Sequence, residues 1–379
     1  MTEKKEPDFL EMLRKNLISD GSNYYTDNFD YYVFGSKKPL KKRIVNQLKK
    51  VFFSKPILAL LFSIRPVYKS FFLGSLFKYK KYIKPLGFMY QHLASKESKS
   101  LFMKLVEFRL LGYLKVRLPL SRPDYWNGIK EFESKATPTD FIEITSFPWK
   151  LYLHDMTGKG IPIKVYLGSK AAFTTFEIQQ YIKVDGNENM GPKAGNVVLD
   201  MGGCFGDTAI FFSSIVGKVG KVYSFEFIPG NVNVFKKNLS INPEIKDGVE
   251  IIQNPLWEVS KKKIYYKEAG AASRVSFEKF EGMDGESETI SVDDFVQARD
   301  LKKVDFIKSD IEGAEPYMLK GAINTLKKFT PTLAISIYHN MDDFSGIIKW
   351  IDDLKLGYKF YLGHYTIYAS ETILYAVKE

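Results

Sequence analysis

The segment Asn196–Thr208, NVVLDMGGCFGDT, constrains the fold of this chain more than any other. The run Asn196–Leu199 is short and apolar, as suits the buried centre of a parallel sheet. Asp200 ends the strand, and Gly202, Gly203 and Gly206 let the backbone pass close to a ligand with no Cβ in the way. Asp207 and Thr208 can cap a following helix, Ala209–Val216, whose free N–H groups face the same crevice. In open α/β sheets ligands bind in that crevice, beyond the carboxyl end of the first strand. The spacing is not G-x-G-x-x-G, because Cys204 stands where that pattern needs glycine. A tight turn that simply needs small residues is the competing reading.

The strands that follow repeat the pattern of chemistry at a strand end. Lys221–Phe227 carries Glu226 near its end, about 20 residues past the glycine turn, where a carboxylate can accept from both hydroxyls of a ribose. A solvated charge at a strand end is the alternative. Pro229 opens a helix. The third strand, Val249–Trp257, brings Asn254 and Trp257 to positions where an adenine ring would be hydrogen-bonded or packed, unless Trp257 is simply core. The fourth, Val304–Ser309, runs into Asp310, Glu312 and Glu315, three carboxylates within six residues. Such a group is a poor stabiliser and good chemistry. Pro316 suits a first helical turn, with Tyr317–Lys328 continuing as one helix. A fifth strand, Thr332–Tyr338, delivers Tyr338, His339 and Asn340 to the same edge.

Taken together, VVLDMGGCFGDT, FEFIP, VDFIKSDIEGAEPYMLKGA, ISIYHN and ETILYAV, in this order over residues 140–379, resemble the FkbM family of S-adenosylmethionine-dependent methyltransferases. The resemblance implies an α/β, Rossmann-like class I methyltransferase fold. Its sheet would have seven mostly parallel strands, one of them antiparallel, with helices on both faces. Tyr358–Tyr365 and Thr372–Lys378 would be the terminal strand pair. It also implies O-methylation, often of sugars or hydroxyl-bearing natural products. By position, Asp200, Gly202, Gly203, Phe205, Gly206, Asp207 and Thr208 would surround the methionine end of the cofactor. Tyr181, in the segment before the glycine strand, would close over it. Glu226 would take the ribose hydroxyls, Phe227, Asn254 and Trp257 would meet the adenosine, and Asp310 would sit beside the sulfonium and the acceptor.

Methyl transfer from a sulfonium is an in-line displacement for which the protein aligns donor and acceptor and removes the hydroxyl proton. An ordinary histidine is half neutral near pH 6.5, so His339 is the expected base, oriented by Asp310, against a structural role for the same ring. Asp310, Glu312 and His339 are alternatively a divalent-cation set, although carboxylates at i and i+2 of an extended chain point to opposite faces. Arg274, within Ala269–Phe277, would pair with an acid on the acceptor or with the cofactor carboxylate, against a surface role. Glu312 and Tyr338 complete the expected acceptor pocket. His364, on the last hairpin, reads as structural first and substrate-binding second.

The N-terminal part differs in character. Residues 1–150 hold 28 Lys and Arg against 14 Asp and Glu, so the overall charge of +11 sits there entirely. The stretch 51–84 mixes this charge with aromatic residues. Its apolar core Ile57–Ile64, bounded by Pro56 and Pro66, is far short of the roughly 20 residues a spanning helix needs. It would pack on the catalytic region, lie on an anionic membrane surface, or contact a second copy in a homo-oligomer. Ser98–Gly112 reads as a helix capped by Gly112. The expected division is a basic, mainly helical region 1–136 and a methyltransferase domain 137–379.

No Asn/Asp-Pro-Pro-aromatic turn follows the fourth strand, which argues against nucleic acid as the acceptor despite the basic charge. Cys204 is the single cysteine, which excludes an intrachain disulfide and fits a reducing cytoplasm. MTEKKEPDFL lacks the apolar run of a secretory signal, so a cytoplasmic protein is expected, with attachment to the inner membrane face as a variant. The expected activity is S-adenosylmethionine-dependent O-methylation of a sugar or glycan precursor. The alternatives are a non-sugar natural product or lipid-linked acceptor and, on the glycine turn and Glu226 alone, a NAD(P)-dependent oxidoreductase.

Overall fold

The computed structural model describes residues 8–25, 27–30, 80–144, 150–270 and 273–378. The membrane-surface and subunit-contact readings of 51–84 fall, up to position 79, outside the described residues. No described helix is long and apolar enough to cross a membrane. The chain divides into two compact units, Met1–Arg122 with His364–Ser370, and Pro123–Gly363 with Glu371–Glu379.

In the first unit, the polar N-terminus yields a helix at Phe9–Gly21 because Phe9, Leu13 and Leu17 recur every four residues and bury one face. That face meets helices Ile83–His92 and Lys96–Leu111, where Phe9, Tyr90 and Phe102 form a ring cluster with centroids 5.6–6.5 Å apart. Gly112 ends the last helix at φ 79°, a conformation that glycine adopts without a Cβ penalty.

The second unit begins earlier than the sequence pattern places it. Helix Pro123–Lys135 belongs here, because Tyr125 and Phe132 both set ring edges against Phe173, 5.8 Å between centroids. Gly128 faces that same ring so closely that a Cβ would clash with it. A three-stranded antiparallel sheet (Thr137–Glu143, Lys150–Asp155, Lys164–Leu167) follows.

The central sheet has seven strands: β1 Val197–Met201, β2 Lys221–Phe225, β3 Val249–Ile252, β4 Phe306–Ser309, β5 Thr332–Ser336, β6 Lys359–His364 and β7 Thr372–Val377. Their order is β6-β7-β5-β4-β1-β2-β3, with β7 antiparallel to β5 and the β5-β4-β1-β2-β3 run parallel. This is the Rossmann-like methyltransferase fold. The order reverses between β1 and β4, which opens a crevice at their carboxyl ends. β1 and β4 pair in a register that sets Lys308 directly opposite Asp200.

Several expected elements are shorter than the sequence suggests, two of them markedly. The third strand stops at Ile252, because Pro255 has no N–H for a ladder; Leu256 instead makes an isolated bridge to Ile290. The helix after Pro316 breaks at Gly321 into Glu315–Lys320 and Ile323–Phe329, and Gly321 passes so near the Trp257 carbonyl that a Cβ would lie 2.5 Å away. A second antiparallel sheet, Lys263–Lys267 between Arg274–Ser276 and Gly285–Glu288, is inserted after β3.

Candidate active site

The glycine turn owes its composition to its own protein walls. Gly202 has φ 83°, and a Cβ there would run into the Asp310 carbonyl oxygen. Cβ atoms at Gly203 and Gly206 would meet Ser224 Oγ and the Phe235 ring. Gly202 therefore lets β1 and β4 end side by side, while Gly203 and Gly206 pack inward. The last two line neither of the two cavities described below, whereas the expectation was that all three glycines approach a ligand. Phe205 is also buried away from the cavities, and Cys204, at φ 44°, takes the lining position.

Asp200 is likewise beneath the site. Fully buried, it accepts from Thr208 Oγ1 at 3.0 and 3.1 Å and from Ser224 Oγ at 2.7 Å, and pairs with Lys308 Nζ at 3.1 Å. Lys308, 2% exposed, also donates to the Gly202 carbonyl at 2.7 Å. The pair thus holds the glycine turn from below, and Asp200 is a support, not a ligand contact.

Two cavities meet above this support. The larger, about 500 Å³, runs along the ends of β1, β2 and β4 and is lined by Glu226, Phe227, Asn254 and Trp257 among others. Glu226 is 8% exposed and accepts from the Ile228 N–H at 2.8 Å and from Asn231 Nδ2 at 3.1 Å. Burial pushes its carboxyl up, against those donors. Asn254 donates to the Glu288 carbonyl at 3.0 Å, and Trp257 stacks on Tyr317 with 3.8 Å between centroids.

The smaller cavity, about 250 Å³, is lined by Lys170, Thr175, Tyr181, Asp207, Lys308 and Glu371 among others. Thr174 and Thr175 reach it from Phe173–Glu177, a single π-helical turn of the kind often found at functional sites. Thr175 donates to Asp207 at 2.7 Å. Gly202, Cys204 and Asp310 line both cavities.

Asp310 is the hub between them. Its Oδ2 accepts from Tyr181 at 2.7 Å, and Tyr338 donates to Oδ1 and Oδ2 at 3.1 and 3.2 Å. Tyr338 itself lines neither cavity, so its place is behind Asp310. His339 lies between two carboxylates, Nε2 3.3 Å from Asp310 Oδ1 and Nδ1 3.3 Å from Glu315 Oε1. Burial disfavours the charged ring, but the two carboxylates outweigh it and raise His339 to about 11. Asp310 is held below the ordinary range, its own burial outweighed by His339, Lys308 and Tyr181.

These contacts correct three expectations. His339 is an imidazolium at neutral pH, so it holds its proton where a base must take one. Among the described residues the grouping whose donor atoms all lie within 4.8 Å of one another is Asp310, Glu315 and His339, with Glu315 in the place expected of Glu312, which itself comes to 3.7 Å from His339 Nε2. The carboxylates of that grouping face opposite ring nitrogens, whose lone pairs diverge, so one ion cannot take all three and the donors do not fit a metal. Arg274 is exposed, lies over the Phe280 ring at 4.1 Å and lines neither cavity. His364 is buried, held down to about 3 by burial and by Arg109, and groups with the first unit.

Lys170, Thr175, Lys308, Glu315 and Glu371 carry no role in the sequence reading. Only Lys308 and Glu315 left a signal there, as a lysine inside an apolar strand and as the third acid of the run after it.

The family model of the methyltransferase FkbM domain matches residues 200–360. Among solved structures, methyltransferase FkbM from Methylobacillus flagellatus KT is 15% identical, covering 90% of this chain and 72% of that one, with a TM-score of 0.49. Fibrillarin from Aeropyrum pernix, in complex with natively bound S-adenosyl-L-methionine, is 14% identical over 62% of this chain and 93% of that one, with a TM-score of 0.33. A putative O-methyltransferase from Klebsiella pneumoniae is 9% identical over 67% and 89%, with a TM-score of 0.32. A search of curated proteins finds no match. By the family match and the strand order, residues 200–360 are an FkbM methyltransferase domain and the chain is a methyltransferase.

Proposed function

We propose that the chain is an S-adenosylmethionine-dependent O-methyltransferase whose acceptor is a hydroxyl of a sugar or glycan precursor. One observation carries the cofactor: a nucleoside-sized cavity, with the buried Glu226 carboxylate in its wall, joins a smaller charged cavity at Gly202, Cys204 and Asp310. Glu226 would hold the ribose hydroxyls. The smaller cavity offers both signs of charge, Lys170 against Asp207 and Glu371, as the ammonium and carboxylate of a methionine moiety require. When bound, S-adenosylmethionine supplies an electrophilic methyl group on a sulfonium. The sugar class rests on the sequence resemblance.

Calorimetric titration with S-adenosylmethionine, S-adenosylhomocysteine and NAD tests the reading. The two sulfur nucleosides should bind and NAD should not, with Glu226→Ala weakening binding roughly 10- to 100-fold, the worth of hydrogen bonds to a charged group. Binding of NAD in their place would overturn it. Transfer of a labelled methyl group to sugar hydroxyls then tests the acceptor.

A further inference from the structure

The turn that follows β4 is built in an unusual way. Glu312 has φ 56° and Gly313 φ 93°, two successive left-handed residues of which only the second is glycine. A glutamate in that conformation is strained by on the order of 1 kcal/mol, and persists only where the surroundings fix it. Here Glu315 fixes it, its Oε1 accepting the Ile311 N–H at 2.8 Å. The result is that Glu312 lines the larger cavity while remaining open to solvent.

Its neighbours are spoken for. The Asp310 carboxylate takes two tyrosine hydroxyls and faces His339. Glu315 is fully buried and holds the turn. Glu312 makes no hydrogen bond among the described residues, and its ion-pair contact is His339 Nε2 at 3.7 Å.

Resting on the O-methyltransferase reading, we infer that Glu312 is the general base that takes the proton of the acceptor hydroxyl, with the cationic His339 as its positioning residue. The acceptor O–H bond breaks and its proton passes to a Glu312 carboxylate oxygen. The electron pair left on oxygen forms the new C–O bond, and the S–C bonding pair departs with sulfur. The charges that face Glu312 are Asp310, Glu315 and Glu371, which oppose its ionisation, and His339, which favours it. Partial burial and then the Asp310 carboxylate push Glu312 up to about 7. A general base serves best with a pKa near the working pH.

The test pairs Glu312→Gln with a direct reading of the carboxyl. Carbon NMR of the protein labelled in glutamate, with no substrate present, should show a carboxyl titrating near pH 7 in the wild type that is missing from Glu312→Gln. The variant should bind S-adenosylmethionine and S-adenosylhomocysteine as the wild type does, with turnover on a hydroxyl acceptor lowered about 100-fold or more. The acid limb of the wild-type pH profile should vanish with it. Full turnover in Glu312→Gln, or a Glu312 carboxyl that titrates in the ordinary glutamate range, would overturn the inference and leave the methyltransferase reading intact. A wild type that fails to bind S-adenosylmethionine would overturn both.

Discussion

Two charged clusters stand at the carboxyl ends of adjacent strands, and they differ in what they leave unpaired. Below the glycine turn, Asp200 and Lys308 are almost wholly enclosed, and Thr208, Ser224 and the Gly202 carbonyl complete their hydrogen bonding. Beyond it, Asp310 and Glu312 line a cavity with His339 and the buried Glu315 behind them, and among the described residues Glu315 Oε2 and both His339 nitrogens make no hydrogen bond. A saturated pair fixes geometry; a group with spare donors and acceptors can respond to a ligand. The first cluster is the support, and the second is where the chemistry is held.

The sharpest way to break this contrast is Lys308→Met. It leaves Asp200 charged and without its cation in the middle of the sheet, which costs about 3–5 kcal/mol. Denaturant unfolding should show that loss. Asp200→Leu combined with Lys308→Met should recover most of it, because a buried pair replaced by apolar side chains is often neutral. Equal loss in the single and the double variant would mean that the pair does not act as a unit.

His339→Gln is expected to destabilise the protein near neutral pH through loss of the ring's charge, while Asp310 keeps both tyrosine hydroxyls. Its pH dependence identifies the cause. The His339 pKa is raised from the ordinary 6.5 to about 11 in the folded protein. The stabilisation is therefore complete below about pH 6.5 and lost as pH rises through about 11. The gap in unfolding free energy between wild type and variant should narrow steadily over that interval. A constant gap would point to lost packing instead of lost charge.

The two clusters were also unequally legible in the sequence. The sheet could be read because its strands are short apolar runs ending in glycine, proline or acids, and Asp310 and His339 stood out as chemistry at strand ends. Lys308 did not, because its partner Asp200 lies in another strand and meets it only through the parallel register of β1 and β4. The protonation of His339 was equally hidden. Glu315 lies five residues past Asp310, and only the turn through Glu312 and Gly313 folds it back beneath the ring. The glycine turn was located correctly but for an incomplete reason: Gly203 and Gly206 answer to Ser224 and Phe235. Arg274 was assigned by residue type, and side-chain type alone does not say which way a residue faces; His364, read first as structural, is buried.

The smallest expected effect is that of a chelator, and it follows from the same ring. A divalent cation at Asp310 and His339 would have to displace a proton from an imidazole that the two carboxylates hold up to about 11. Ligands bind metal in their deprotonated form, so at pH 7 the competing proton would lower the apparent affinity by about four orders of magnitude. The imidazolium already supplies the positive charge that an ion would bring beside Asp310. Turnover should therefore be unchanged after exhaustive dialysis against a chelator. His339→Gln removes that built-in cation and leaves the carboxylates facing each other, so this variant, unlike the wild type, should gain stability from added magnesium or manganese in thermal unfolding. Chelator-sensitive turnover in the wild type would instead place a metal in the second cluster and remove the contrast with the first.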